Sequence, residues 1–361
     1  MTSSPEKETP ARPRARAWRW AGLALGVLLS VVFMVYALWG VDFQELWRTL
    51  VGADPLWVTL GVIFMLLALM CRSLRWRILM APIVQVGVLD VNAFSMIGQM
   101  FNALLPAKLG EVARTALVSR KYRVSLGAVL STVAADRLLD MISLVLLTMI
   151  LPLSFSLPSD LALVVMGTAG AAIGAMTALA VIARLRNGPE RFGALVARVA
   201  AWGLSAARVS RPAERTGALA TWIVHFLESF RAGIVYLADW RRLAVSVGYT
   251  AAAWALAVTY ATCILVAVGA FDRLPPIAGL VVTITTNVSA AAPSTPGNWG
   301  LYEGFAKAGF ALMGAAETLK PQMIGYAILA HSTWYFGVII LGFLSLAYQG
   351  LSLADVRKMT T

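Results

Sequence analysis

Three ionisable residues, Lys108, Glu111 and Arg114, fall inside the stretch "FNALLPAKLGEVAR" at residues 101–114, around Pro106 and Gly110. Two cations flanking a carboxylate can pair among themselves, or offer charge-assisted hydrogen bonds to a phosphate and, through the glutamate, to an amine. Further along, "DRLLD" sets Asp136 and Asp140 one helical turn apart on one face, and Arg137 can reach Asp140 three positions on. A third stretch, "PSTPGNWGLYE" at 293–303, ends in Glu303, with Lys307 a turn later. Lys108, Arg114, Arg137 and Lys307 against Glu111, Asp136, Asp140 and Glu303 predict one neutral internal network. Such a network would either lock elements together or line a substrate or proton pathway.

Other reactive residues are sparse. His331 can titrate near neutral pH, but a single histidine more commonly packs or hydrogen-bonds, and His225 reads as interfacial. Cys71 and Cys263 lie far apart without a CxxC spacing, so neither a metal site nor a disulfide is expected. There is no GxSxG elbow, no Walker loop and no Ser/His/Asp set. No cofactor is implied.

The elements that must hold these charges are membrane helices. The chain is 59% apolar and 13% charged, and several apolar runs reach the roughly 20 residues needed to cross about 30 Å of hydrocarbon. A net charge of +12 would suit nucleic acid on a soluble surface, but here Arg and Lys stand between apolar runs, where they set topology and meet anionic inner-leaflet lipids. Nucleic acid is excluded as a partner. The reading is an all-α polytopic protein of about six transmembrane helices, multi-pass in the cytoplasmic membrane, with both termini cytoplasmic.

The segments follow from charge and hydropathy. Residues 1–19 form a basic cytoplasmic tail. The N-terminal membrane half, 20–183, holds spans at about 20–39, 55–71, 124–151 and 161–183. In this reading Arg72, Arg75 and Arg77 are the cytoplasmic flank of the second span. Residues 184–242 are a basic amphipathic linker on the inner leaflet. The C-terminal half, 243–347, holds spans at about 243–270 and 322–347, and 348–361 form a cytoplasmic tail. The loops at 40–54, 152–160, 271–276 and 315–321 are expected to be short and external.

Two segments, about 89–118 and 277–314, are too short to cross twice and sit between charges that place their ends on the same side. They predict re-entrant hairpins turning near Pro106 and Pro296, entering from the cytoplasm and from outside respectively. The spacing Pro106-x3-Gly110 recurs as Pro296-x3-Gly300, and the two span–hairpin–span units run in opposite directions. That is the arrangement of an inverted repeat, which transporters use to build one midplane site. The alternative is that proline and glycine simply kink ordinary helices.

"FNALLPAKLGEVAR", "DRLLD" on the next helix and "PSTPGNWGLYE" before a final span together resemble the flippase-like membrane domain of lysylphosphatidylglycerol synthases. The resemblance covers most of the chain. It implies a protein that moves an aminoacylated or other polar lipid between leaflets, and it extends to Asn102, Pro106, Gly110, Glu111, Arg114, Arg137, Asp140, Pro296, Gly297, Gly300 and Glu303. The chain departs from the family pattern in three places. The sequence ends at Thr361 without the aminoacyl-transferase domain, so a stand-alone member is expected and lipid synthesis is not implied. Tyr302 and His331 stand where relatives carry basic residues, which would suit a different lipid.

The expected function is therefore a lipid flippase or transporter, with a membrane-embedded transferase acting on a lipid carrier as the alternative. The short external loops favour transport over catalysis. A scaffold working through the basic 184–215 stretch would need no charge at depth. In the transport reading, the hairpin tips and the "DRLLD" helix line a polar cleft. Lys108 and Arg114 meet a phosphate there, and Asp136, Glu111, Glu303 and His331 complete the path.

Overall fold

The computed structural model describes residues 28, 30–105, 109–151, 174, 191, 194–195, 198, 239–289, 296–353 and 355. Every regular element among them is helical. After a helical stretch at 30–38 come α1 (Phe43–Val51), α2 (Pro55–Met80), α3 (Val88–Leu104), α4 (Gly110–Tyr122) and α5 (Leu126–Thr148). The second part contains α6 (Trp240–Ala267), α7 (Ala278–Ser289), α8 (Leu301–Leu312) and α9 (Lys320–Gln349). The expected span at 161–183 and nearly all of the basic 184–242 stretch lie outside the described residues, as do Pro106 and Lys108.

Local chemistry sets the ends. Asp42, Asp54, Ser125 and Asp239 cap α1, α2, α5 and α6 by accepting hydrogen bonds from first-turn amides, which an N-terminus otherwise leaves unpaired. Pro55 follows its cap at the position where a missing N–H costs nothing. Gly350 ends α9 in the left-handed conformation.

Among the described residues, three helices are long and apolar enough to cross a membrane: α2, α6 and α9, of 26, 28 and 30 residues. Their polarity is inside out. Leu66, Met70, Phe336, Ile340 and Leu344 point outward, while Ser73, Arg75, Thr250 and His331 are buried. A lipid-facing surface requires this, because hydrocarbon can neither solvate nor hydrogen-bond a polar group. α5 has a comparable length, 23 residues, but carries Asp136, Arg137 and Asp140 in its middle.

Two expectations are corrected here. The second span does not end at 71: no helix breaker interrupts it, and α2 continues to Met80, drawing Arg72 and Arg75 into the bundle. The stretch 40–54 is not an open loop. It contains α1, capped by Asp42, with Leu46 buried, and α1 packs against α9.

Both short segments fold as antiparallel helix pairs around a break. In the first, Asp90 meets Lys121 and Asn102 meets Gly110 and Glu111. In the second, Ser289 meets Asn298 and Val282 lies against Gly309. The crossing of α3 and α4 demands glycine, since a Cβ on Gly110 would overlap the Gly98 carbonyl oxygen.

The helices of each half have matching neighbours. α2 packs on α3 as α6 packs on α7, α3 on α4 as α7 on α8, and α4 on α5 as α8 on α9. α2 and α6 lie alongside one another, antiparallel, with Asp54 near Ala267 and Arg75 near Thr250. Across the halves, α3 is seated along α9, with Met100 against Gly342, while its counterpart contact, α5 with α7, is slight.

Candidate functional site

The buried charges lie where α2, α4 and α5 converge. Asp136, on the inward face of α5, is 4% exposed, and Arg75, one face of α2, is 1% exposed. Arg75 spans two carboxylates, reaching Asp136 and Asp140 at 2.8 Å each, and donates to the Thr250 hydroxyl of α6 at 3.2 Å. Arg72, one turn earlier, meets Asp140 at 3.4 Å with its guanidinium over Trp254.

Arg114 on α4 pairs with Asp136 at 3.3 Å and with Glu111 at 2.5 Å. Its guanidinium lies 4.5 Å from the Trp76 ring, whose indole N–H is held by Thr132. Arg137, the most open member, pairs with Glu111 and with Asp140. Asn102 ties this centre to the break in the first hairpin: its amide oxygen accepts the Gly110 N–H at 2.9 Å, and its amide nitrogen donates to Glu111.

Four guanidiniums thus face three carboxylates, leaving one net positive charge among the described members. The charges are packed closely because each would be costly alone at depth. They line a cavity of about 30 Å³, which Ser95, Gln99 and Gly98 of α3 also border. A single water needs about 10–15 Å³ by the same measure, so this conformation has room for a water or two and none for a lipid headgroup.

The second hairpin carries a separate centre. Gly297 and Gly300 adopt left-handed backbone at φ 77° and 87°, and a Cβ on Gly300 would strike the Ser30 carbonyl oxygen. Glu303, 2% exposed, turns back to accept the Gly300 N–H at 2.7 Å, which caps α8. Its other oxygen lies 2.7 Å from Nδ1 of His331, whose Nε2 lies 2.7 Å from the Gly297 carbonyl. Trp299 and Tyr302 stack near the imidazole, at 4.3 and 4.4 Å between ring centres. The turn Pro296–Asn298 packs against α3 of the first hairpin.

The structure therefore corrects the single network of four cations and four carboxylates. Asn102, Gly110, Glu111, Arg114, Asp136, Arg137 and Asp140 come together; Pro296, Gly297, Gly300, Glu303 and His331 form a second centre. No ion pair links the two among the described residues. Lys307 belongs to neither, because it donates to the Tyr36 carbonyl at 2.7 Å and lies over that residue's ring. In the second hairpin Asn298 closes the break by donating to the Ser289 hydroxyl, while Asn287 bonds back to Thr283 of its own helix.

Arg72 and Arg75 are the functional candidates that sequence reasoning missed. Their signal was present, since the two share a face at i, i+3 spacing and no proline interrupts residues 56–81. Arg77, off that face, bonds the Val86 carbonyl instead.

A family model for the lysylphosphatidylglycerol synthase TM region matches residues 23–342. The chain belongs to that family. Both charged centres and both hairpins fall inside the matched region. Membership in the lysylphosphatidylglycerol synthase TM family, with the three membrane-length apolar helices, establishes a membrane protein with a lipid-related role. No curated protein matches the chain.

Proposed function

We propose that the chain is a lipid transporter of the cytoplasmic membrane that moves a polar-headed lipid between leaflets. The observation that carries this reading is the cluster of four arginines and three carboxylates, buried at Arg75, Arg114 and Asp136, around a cavity beside a broken helical hairpin. Fixed polar groups at that depth replace headgroup water and lower the cost of passage, while the acyl tails remain in lipid. The excess positive charge suits a phosphate, and Glu111, shared between Arg114 and Arg137, is the carboxylate best set to meet an amine.

In this reading the two helix pairs are re-entrant hairpins and the halves form an inverted repeat with both termini cytoplasmic. The matching neighbours of α2–α5 and α6–α9 support the repeat. The unequal pair of cross-half contacts supports alternating access: α3 is seated on α9 while α5 barely meets α7. The opposite state would loosen the first contact and tighten the second. Admission of a headgroup would require the walls of the cavity, formed by α2, α3, α4 and α5, to separate.

The test is reconstitution of the purified chain in vesicles carrying labelled lipids of several headgroups, with transfer between leaflets measured for each. Transfer of at least one lipid well above protein-free vesicles is expected. Transfer of none, with a well-folded protein, would rule the reading out, and chemical conversion of a lipid carrier would point to a transferase.

A further inference from the structure

His331 has two ring nitrogens and both face oxygens. Nδ1 points at a carboxylate oxygen of Glu303 and Nε2 at the carbonyl of Gly297, each at 2.7 Å. A neutral imidazole carries one N–H and one lone pair. Either neutral tautomer beside an ionised Glu303 would therefore set a lone pair against an oxygen lone pair at hydrogen-bonding distance, in a site only 1–2% exposed. Rotating the ring by half a turn does not help, since it would aim two carbons at the same oxygens. Both contacts are satisfied only if each holds a proton: one on Nε2 for Gly297, and one between Nδ1 and Glu303.

We infer that Glu303 and His331 form a proton-binding site whose shared proton fastens the tip of the second hairpin to α9. The proton resides on the ring, as an imidazolium–carboxylate pair, or on the carboxyl, as a neutral pair; the two are microstates of one site with no net charge. Its departure would leave one negative charge and a single imidazole N–H for two acceptors, so one bond to the hairpin must be lost. Gly297 and Gly300, which the pair holds through a carbonyl and an amide, are both in that tip.

Among the described residues, the surroundings supply no other ionised partner within the site. α8 contributes Tyr302 and, a turn beyond Glu303, Lys307, which is engaged with Tyr36 of the 30–38 stretch. α9 contributes Tyr335, and α6 contributes Tyr260, whose hydroxyl is held by the Ala330 carbonyl and Thr333. α7 has no ionisable residue, and the only one on α3, Asp90, is tied to Lys121 and Tyr122 at its far end.

The tip also packs on α3, which borders the arginine-lined cavity. Loss of the proton at one centre would thus loosen a wall of the other, making a proton the coupling ligand for transport. That use rests on the transport reading; the proton site itself does not.

With only two histidines in the chain, nitrogen-15 histidine labelling of His225→Gln protein in lipid nanodiscs reports His331 alone. At pH 7 two outcomes support the inference. Either the ring carries N–H at both nitrogens, or it carries one N–H together with a carboxylic-acid infrared band that Glu303→Gln abolishes. One ring N–H beside an ionised glutamate overturns it. In Glu303→Gln the side-chain amide donates to Nδ1 and Nε2–H still serves Gly297, so the ring is expected to carry a single N–H with both hydrogen bonds intact. Fastening is read from amide exchange at residues 297–300, expected to be about tenfold faster in His331→Leu than in Glu303→Gln; equal exchange overturns that part. Protein that holds the proton but transfers no lipid retires the transport reading alone. Protein that transfers lipid with a neutral ring beside ionised Glu303 retires this inference alone.

Discussion

Arg75 and Asp136 meet at 2.8 Å across 61 positions of sequence, and neither side chain is more than 5% exposed. Stripping one partner from a buried pair strands the other, at about 3 to 5 kcal/mol. Arg75→Met should therefore sharply lower both the recovery of folded protein and its melting temperature. Arg75→Lys should fall between the two, because one ammonium cannot reproduce the fork that spans Asp136 and Asp140. A melting temperature unchanged in Arg75→Met would mean that the cluster does not hold α2 to α5.

Gly110→Ala tests the hairpin crossing. The new methyl would overlap the backbone carbonyl of Gly98 and the Asn102 side chain, and main chain cannot rotate away as a side chain can. Overpacking of this kind costs about 1 to 3 kcal/mol or more. Size-exclusion profiles should show loss of the monodisperse species, whereas Gly127→Ala, which meets nothing within 4 Å, should leave it intact.

Glu111→Gln probes the cleft with little change of shape. It keeps the contact with Asn102 but removes the charge that Arg114 and Arg137 share. In reconstituted vesicles, leaflet transfer of the substrate lipid should fall about tenfold or more, the equivalent of roughly 1.4 kcal/mol. Full activity in well-folded protein would remove Glu111 from the transport path.

Orientation can be read by labelling. After replacement of Cys71 and Cys263, single cysteines at Asp42 and Arg198 should react from opposite sides of the membrane, Asp42 from outside. Both residues are exposed. Labelling from one side at both positions contradicts the proposed topology.

Asp90, at the open end of the first hairpin, gives an acid limb. Burial acts to raise its carboxyl, but hydrogen bonds from Lys121, Tyr122 and Gln349 and the Lys121 charge outweigh it, so the group lies below the usual aspartate value. A depressed folded-state value contributes stability above the unfolded value, about 3.9, and loses it as pH falls through the folded value. Asp90→Asn should narrow the difference in melting temperature between about pH 7 and pH 3. The effect should be modest because Lys121 is 45% exposed. An identical pH profile in the variant would assign the acid limb to other carboxylates.

Sequence alone determined what depends on local pattern. Three membrane-length helices, the break between 104 and 110 and the family itself were legible, because hydropathy over about 20 residues, the amide lost at proline and the turn freedom of glycine act within a few turns of chain. It also implied that charges at depth must pair, since the cost of leaving one unpaired holds in any fold. The choice of partners was not legible. Arg72 and Arg75 read as an interfacial flank because a span ending at 71 and one ending at 80 have the same hydropathy up to the first arginine. Only the antiparallel seating of α2 against α6, and the approach of α5 from the other side, brings Arg75 to Asp136, Asp140 and Thr250. In the same way, Lys307 was counted with carboxylates that the rotation of α8 turns it away from, and Glu303 found His331 rather than an arginine. Helix rotation and crossing are set by the summed packing of many side chains between distant segments, and no single stretch of sequence contains that sum.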